Sequence, residues 1–198
     1  MEHYYSNSPK VTSRELSIQA KMRGMEWTFI SDAGVFSKTG IDFGTRLLIE
    51  TIEITDGDTI LDLGCGYGVV GVVLGTETPK GTITFTDINE RAVMLARKNC
   101  QRHQIKNASF FVSDGFRELP NQKFNHIVLN PPIRAGKAKI YSMFDDAAGY
   151  LESAGAFWIV IHKKHGADSA IKKLETSYKS VEIVNKKSGY QIIRVCNS

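Results

Sequence analysis

Apolar residues change their spacing along this chain. From residue 59 onward, short runs rich in β-branched and aromatic residues alternate with longer segments in which apolar positions recur every three or four residues. That is the pattern of a doubly wound sheet, each strand followed by a helix that covers it. TILDL (59–63) reads as a strand, and VVGVVLGT after it as a helix whose small residues let it lie close on the sheet. TITFTD (82–87) is the next strand. Asn89 suits an N-cap for a helix running to about His103, with Ala92, Val93, Leu95, Ala96 and Cys100 as its buried stripe. ASFFVSD (108–114), FNHIVLN (124–130) and AFWIVIH (156–162) supply three further strands, with a helix expected over roughly 137–152. The end differs: SVEIVNKKSGYQIIRVC reads as two strands joined by the turn Lys187-Ser188-Gly189, a hairpin that closes a parallel sheet.

Before residue 59, RELSIQAKMRGMEWTFISDAGVFS alternates like a second hairpin turning at Arg23-Gly24, and FGTRLLIETI has helical spacing. No repeat, low-complexity tract or linker divides the chain. One domain is expected over 1–198, with 1–40 as a hairpin extension and 41–198 as the Rossmann-like α/β core. At 198 residues such a domain buries roughly 70% of the surface its unfolded chain exposes.

Composition is that of an ordinary globular protein, 42% hydrophobic and 23% charged. No apolar run reaches the roughly 20 residues of a membrane span, and the start MEHYYSNSPK lacks the parts of a signal peptide. A cytoplasmic protein is expected. Cys65, Cys100 and Cys196 are odd in number and scattered, which fits a reduced compartment and neither a disulfide framework nor a zinc site. No metal is expected, His162 and His165 having no further ligand at metal spacing. The net charge of +4 is unevenly spread: 14 Lys+Arg face 15 Asp+Glu through Ile133, but 11 face 6 from Arg134 onward. That excess could steer a polyanion to one face, although solvated lysine-rich helices explain it as well.

Chemistry concentrates where strands end. Asp62-Leu63-Gly64-Cys65-Gly66-Tyr67-Gly68 lies at a strand-to-helix turn, where glycines admit a ligand to the backbone and the helix start offers free N–H groups. GYGVVG also fits the dinucleotide fingerprint, with Asp87 nearly at the ribose-binding distance, so the loop alone does not separate NAD from another adenosine cofactor. Asp62 would repel a pyrophosphate but attract, directly or through water, the ammonium of an amino-acid moiety, and S-adenosylmethionine carries that ammonium and no phosphate. Asp87 then suits the ribose, Ile88 the adenine face and Asp114 the adenine amino group. All three acids stand at carboxyl ends of strands, where ligands of such sheets bind.

IVLNPPIRAGK (127–137) ends another strand on an asparagine before two prolines. A residue before proline is held extended, so Asn130 is presented from a stiff platform. Pro131 and Pro132 have no N–H, which leaves local carbonyls as acceptors. The Asn130 side-chain oxygen and the Pro131 carbonyl can together accept both hydrogens of one –NH2 group and aim its lone pair at an electrophilic methyl.

DLGCGYG and NPPI, with FSKTGIDFGTRLL upstream, resemble class I S-adenosylmethionine-dependent methyltransferases over about residues 25–195. Within that class they resemble the bacterial ribosomal RNA small subunit methyltransferase C group, which modifies guanine N2. The resemblance implies a seven-stranded, mostly parallel sheet with an antiparallel last strand. It implies cofactor contacts at Asp62, Gly64, Gly66, Gly68, Asp87, Ile88 and Asp114, and a catalytic, amine-holding role for Asn130 and Pro131. Lys38 and Thr45 are expected on the cofactor side, and Phe36, Pro132, Ile133, Arg134 and Lys137 towards the substrate. The implied partner is ribosomal RNA or the small ribosomal subunit. Two departures stand out: Ile133 occupies a position that is often aromatic in the family, and the long members carry an extra N-terminal domain with no counterpart in these residues. Glutamine-N5 methylation of a protein and adenine-N6 methylation use the same –NH2 grip. An NAD-dependent oxidoreductase would leave Asn130-Pro131-Pro132 without a task.

Overall fold

The computed structural model describes residues 12–35 and 40–197. Strands β1 (Glu15–Met22) and β2 (Met25–Asp32) form the N-terminal hairpin, and helix α1 (Phe43–Thr51) follows. The next elements are β3 (Thr59–Leu63), α2 (Val69–Gly75), β4 (Thr82–Asp87), α3 (Glu90–Arg102) and β5 (Ala108–Val112). The second half comprises β6 (Phe124–Leu129), α4 (Lys137–Ala147), β7 (Leu151–His162), α5 (Ala167–Leu174), β8 (Ser180–Lys187) and β9 (Tyr190–Cys196). Seven strands make one sheet in the order β5-β4-β3-β6-β7-β9-β8. Only β9, the last in the chain, runs against its neighbours β7 and β8. This is the Rossmann-like α/β sheet that the sequence led us to expect.

Period-two alternation assigns each strand residue to a face. Ile60, Phe85 and Val128 join one apolar cluster with residues of α1, α2 and α3. Leu61, Leu63, Ile127 and Leu129 join the other, with residues of α4 and α5. The N-terminal hairpin packs on the first of these faces through the buried Trp27 and Phe29. Its tight turn places Arg23 at φ +49° and Gly24 at φ +73°, the left-handed pair that a two-residue hairpin connection needs. Two further contacts fix it. The Asn99 amide of α3 accepts from Ile30 N–H at 2.7 Å and donates to the Ile30 carbonyl at 2.9 Å. The Arg23 guanidinium donates to the Ile49 and Ile52 carbonyls and pairs with Glu77.

The chain departs from the expected elements in the second half. The helix expected over 137–152 ends at Ala147, a 3-10 turn covers Ala148–Tyr150, and β7 begins at Leu151 rather than 156. Leu151 pairs with Phe124, after which the register shifts before His126. Glu152, Ser153 and Ala154 are exposed on that stretch, which removes the alternation by which a strand is recognised. Helix α5 was not expected at all: it has eight residues and buries only Ala167, Ala170 and Leu174.

Beneath the sheet, Trp158 Nε1 donates to His126 Nδ1 at 3.1 Å, and His126 Nε2 lies 3.0 Å from Asp58 Oδ2. An indole only donates, so Nδ1 must be free of its proton and Nε2 must carry one towards the carboxylate. Burial lowers the His126 pKa below its ordinary value of 6.5, with Asp58 opposing the shift. The unfolded chain therefore takes up a proton that the native ring refuses. The stability due to neutral His126 is complete above pH 6.5 and is lost as the pH falls towards the native value. In denaturant titrations the midpoint should fall as the pH is lowered through that window, and His126→Gln should flatten this part of the profile. An unchanged slope in the variant would assign the acid sensitivity to other groups.

Candidate active site

A cleft of about 1050 Å³ opens where β3, β4, β5, β6 and β7 end, and its lining is drawn from the loop after each of them. Chain order reverses between β3 and β6, the switch point at which the two halves of such a sheet part and leave room for a ligand.

The β3 end supplies the glycine loop. Gly64, Gly66 and Gly68 all have positive φ, so the backbone folds back on itself with N–H groups turned inward. Gly66 N–H donates to Asp87 Oδ2 at 2.9 Å and Asn89 N–H to Asp87 Oδ1 at 2.8 Å. Gly71 N–H donates to Asp62 Oδ2 at 2.8 Å, tying the carboxylate to the first turn of α2. Each carboxylate oxygen keeps a lone pair beyond the one engaged. The three glycines are not equivalent. Gly64 and Gly66 line the cleft, and a Cβ added at Gly64 would meet only open space. Gly68 does not line it: a Cβ there would stand 2.9 Å from Ala96 Cβ, so this glycine lets α3 pack against the loop.

Asp62 is 3% exposed, and burial, reinforced by the nearby charge of Asp87 and opposed by the Gly71 hydrogen bond, pushes its pKa up to about 7. The loop thus offers a cationic ligand group a buried carboxyl whose ionised form that cation would favour. The cationic lining residues Arg134 and Lys139 belong to the opposite wall or to α4. A donor set of carboxylates and backbone N–H groups fits the ammonium and ribose of S-adenosylmethionine. Among the described residues it gives a pyrophosphate no cation at the loop. The neighbouring Cys65 thiol is buried and held well above its ordinary pKa, which makes it an inert packing group. Among the described residues no cluster of three His, Cys, Asp or Glu could hold a metal ion.

Asn130, at the end of β6, meets α1 across the cleft. Thr45 Oγ1 donates to Asp42 Oδ2 at 2.6 Å, while Thr45 N–H caps onto Asp42 Oδ1 at 3.0 Å. With its proton committed, the threonine oxygen can only accept, and Asn130 Nδ2 donates to it at 2.9 Å. The Asp42-Thr45-Asn130 chain therefore fixes which way the amide faces and leaves Asn130 Oδ1 as the atom without that partner. Pro131, Pro132, Ile133 and Arg134 also line the cleft, in a segment that becomes a 3-10 turn over Ile133–Ala135.

Ile88 and Asp114 line the cleft, and Asp114 Oδ1 receives Lys139 Nζ of α4 at 2.5 Å. Lys137 does not line it; its Cε lies 3.9 Å from where a Gly166 Cβ would be. Phe36 and Lys38 lie outside the described residues. The cleft also contains Asp42, Lys139, His162, His165 and Tyr190, none of which the sequence marked. Only Asp42 carried a usable signal, as an N-cap three residues before Thr45.

A cation drawn to Asp62 stabilises its charged form, so binding below neutrality must expel a proton. Affinity for S-adenosylmethionine is expected to rise roughly tenfold per pH unit up to about 7 and to level off above it. Calorimetry at pH 6 in two buffers of different ionisation heat should register the released proton, and Asp62→Asn should abolish it. Affinity that is flat across this range would show that the ligand does not engage Asp62.

The chain matches the methyltransferase small domain family over residues 26–194. It is 45% identical over 195 residues to the uncharacterized protein YbxB of Bacillus subtilis (strain 168), covering 98% of this chain and 97% of that one. It is 30% identical over 194 residues to ribosomal RNA large subunit methyltransferase G of Psychromonas ingrahamii, covering 93% and 50% of the two chains. Among solved structures, the T. thermophilus 16S rRNA N2 G1207 methyltransferase (RsmC) in complex with AdoMet and guanosine is similar with a TM-score of 0.84 at 25% identity, covering 96% of this chain and 52% of that one. The chain spans about half the length of these last two relatives. The carboxylate-lined glycine loop, the inert cysteine and these likenesses agree on one conclusion: the chain belongs to the methyltransferase small domain family of S-adenosylmethionine-dependent methyltransferases.

Proposed function

We propose that the protein methylates an exocyclic amino group of RNA, and that its acceptor is guanine N2 of ribosomal RNA in the small subunit. The observation that carries this reading is the hydrogen bond from Asn130 Nδ2 to Thr45 Oγ1, which turns the amide nitrogen to the protein and leaves the amide oxygen for an amine. Relatives named for guanine methylation and for ribosomal RNA methylation support the choice of acceptor. In this reading residues 1–198 act as one catalytic domain, with the hairpin packed into the same core.

The bound cofactor supplies a sulfonium methyl, electrophilic without further activation. The protein's share is geometric and electrostatic. Asn130 Oδ1 and the Pro131 carbonyl accept the two amine hydrogens, turning the nitrogen lone pair along the line of transfer. Positive charge developing on the amine as it took up the methyl would be faced by both oxygens. One amine proton then leaves to water, so no side chain has to serve as a strong base. Thr45 is a positioning residue in this scheme, since it holds Asn130 and touches no reacting atom.

Transfer of labelled methyl to total RNA and to ribosomal particles from a strain lacking the protein, followed by nucleoside analysis, tests the assignment. N2-methylguanosine is the expected product. Label in N6-methyladenosine would keep the grip and change the base, and label confined to protein would favour glutamine as the acceptor. Asn130→Ala should slow transfer roughly 100-fold, the usual scale for losing one preorganised polar group, with cofactor affinity within a few-fold of wild type. Thr45→Val should slow it about tenfold, with Thr45→Ser restoring most of the rate. A Thr45→Val enzyme at full speed would remove the relay from the mechanism.

A further inference from the structure

Ile133 offers no ring to a planar acceptor, yet the cleft is not without aromatic surface. Across from the Asn-Pro-Pro segment stand His162 and His165, at and just beyond the end of β7, and Tyr190, the first residue of β9. The Tyr190 ring meets His162 edge-on, with centroids 4.7 Å apart and planes at 88°, and His162 lies 5.4 Å from His165.

These rings are seated by glycines. A Cβ on Gly44 would stand 2.8 Å from Tyr190 Cε1, so the ring rests on bare backbone at the start of α1. A Cβ on Gly189 would stand 2.5 Å from His162 Nε2, and the Gly189 carbonyl accepts from Lys163 N–H at 2.8 Å. His162 is further held by Lys164 N–H, which donates to its Nδ1 at 3.1 Å. The wall is therefore prepared in advance, and it shares its foundation with the amine grip. Gly44 seats the Tyr190 ring, while the next residue, Thr45, anchors Asn130.

We infer that Tyr190, His162 and His165 form the subsite that stacks on the acceptor base, taking the part that an aromatic residue at position 133 would otherwise play. This rests on the RNA reading above and specifies it further. A ring wall inside a cleft accepts only a base that has left its own stack, so the substrate is an unpaired or flipped nucleotide. Chemically the subsite takes a purine with an exocyclic amine: with planes at 88° and 51° to one another, one ring lies along its π-face while the others meet it edge-on or tilted, and Asn130 meets its –NH2. Arg134, Lys163 and Lys164 are exposed around the same wall, and among the described residues none of them forms an ion pair with a carboxylate, which leaves them available to phosphates on either side of the flipped nucleotide.

The test uses the full chain, S-adenosylmethionine and an RNA whose methylation by the wild type has been established. Tyr190→Leu should raise KM for that RNA roughly tenfold, the scale of one lost base-stacking contact, while cofactor affinity stays within twofold. Tyr190→Phe should behave as wild type. His165→Ala, at an exposed position where folding is not at stake, should raise KM several-fold. Replacing the acceptor base with 2-aminopurine, which keeps the 2-amino group, gives an optical readout: its fluorescence should be quenched on binding the wild type and less so on binding Tyr190→Leu. Unchanged KM and unchanged quenching in Tyr190→Leu and His165→Ala, with wild-type transfer to RNA intact, would overturn the subsite alone. Wild-type transfer to protein and not to RNA would overturn the RNA reading and the subsite with it.

Discussion

Two carboxylates are buried side by side at the ends of β3 and β4, and the architecture around them follows from keeping them there. Asp62 and Asp87 are 3% and 4% exposed. A buried charge without partners would cost several kcal/mol or give up its ionisation. Both outcomes are visible here: Asp87 accepts two backbone N–H groups, whereas Asp62, with one, is pushed up to about 7. Those donors come from Gly66, Asn89 and Gly71, so the glycine loop, the cap of α3 and the first turn of α2 are all positioned by the same two side chains. The positive φ angles of the loop are what turn the Gly66 N–H inward. Gly68 then gives α3 room to approach, with Ala96 packed against it.

The same accounting defines what the cleft is for. Asp62, held by one backbone N–H and with its pKa raised to about 7, is the acid whose charge a cation in the cleft would balance. S-adenosylmethionine brings an ammonium and a sulfonium, and its binding completes a charge balance that folding leaves open. The amine grip is built on the opposite logic: Thr45 spends its proton on Asp42 and takes one N–H of Asn130, which turns the amide nitrogen towards the protein and the amide oxygen away from it. One wall waits for positive charge and the other for hydrogen-bond donors.

Much of this was legible in the sequence because it is local. The β3 to β6 strands, the Asn89 cap, the Arg23-Gly24 turn and the closing hairpin each depend on a few consecutive residues, and the structure reproduces them. Asp62, Asp87 and Asn130 could be singled out because each stands at a strand end beside glycine or proline. The failures are of another kind. Helix α5 is too short for its stripe to show through the surrounding lysines and histidines, and the polar start of β7 shows no alternation. Tyr190, Lys139 and His162 enter the cleft from elements far apart in the chain. Each looks unexceptional where it stands, and only the antiparallel insertion of β9 beside β7 brings Tyr190 against His162.

The uneven charge of the chain acquires a spatial meaning at the switch point. Strands β3 to β5 and the turns after them, from the nearly neutral first two-thirds, contribute Asp62, Asp87 and Asp114 to the cleft, whereas β7 and β9, with the segments around them, belong to the part carrying 11 basic residues against 6 acidic ones. Because the sheet winds outward in both directions from β3 and β6, this linear asymmetry becomes a left-right asymmetry across one cleft. Under the proposed function, a cationic cofactor and a polyanionic acceptor would occupy adjoining walls, each facing the charge that attracts it. Lys139 marks the frontier, reaching from α4 on the basic side to Asp114 at the end of β5 on the acidic side. In an arrangement with the charges mixed, each ligand would meet repulsion from the residues recruited for the other.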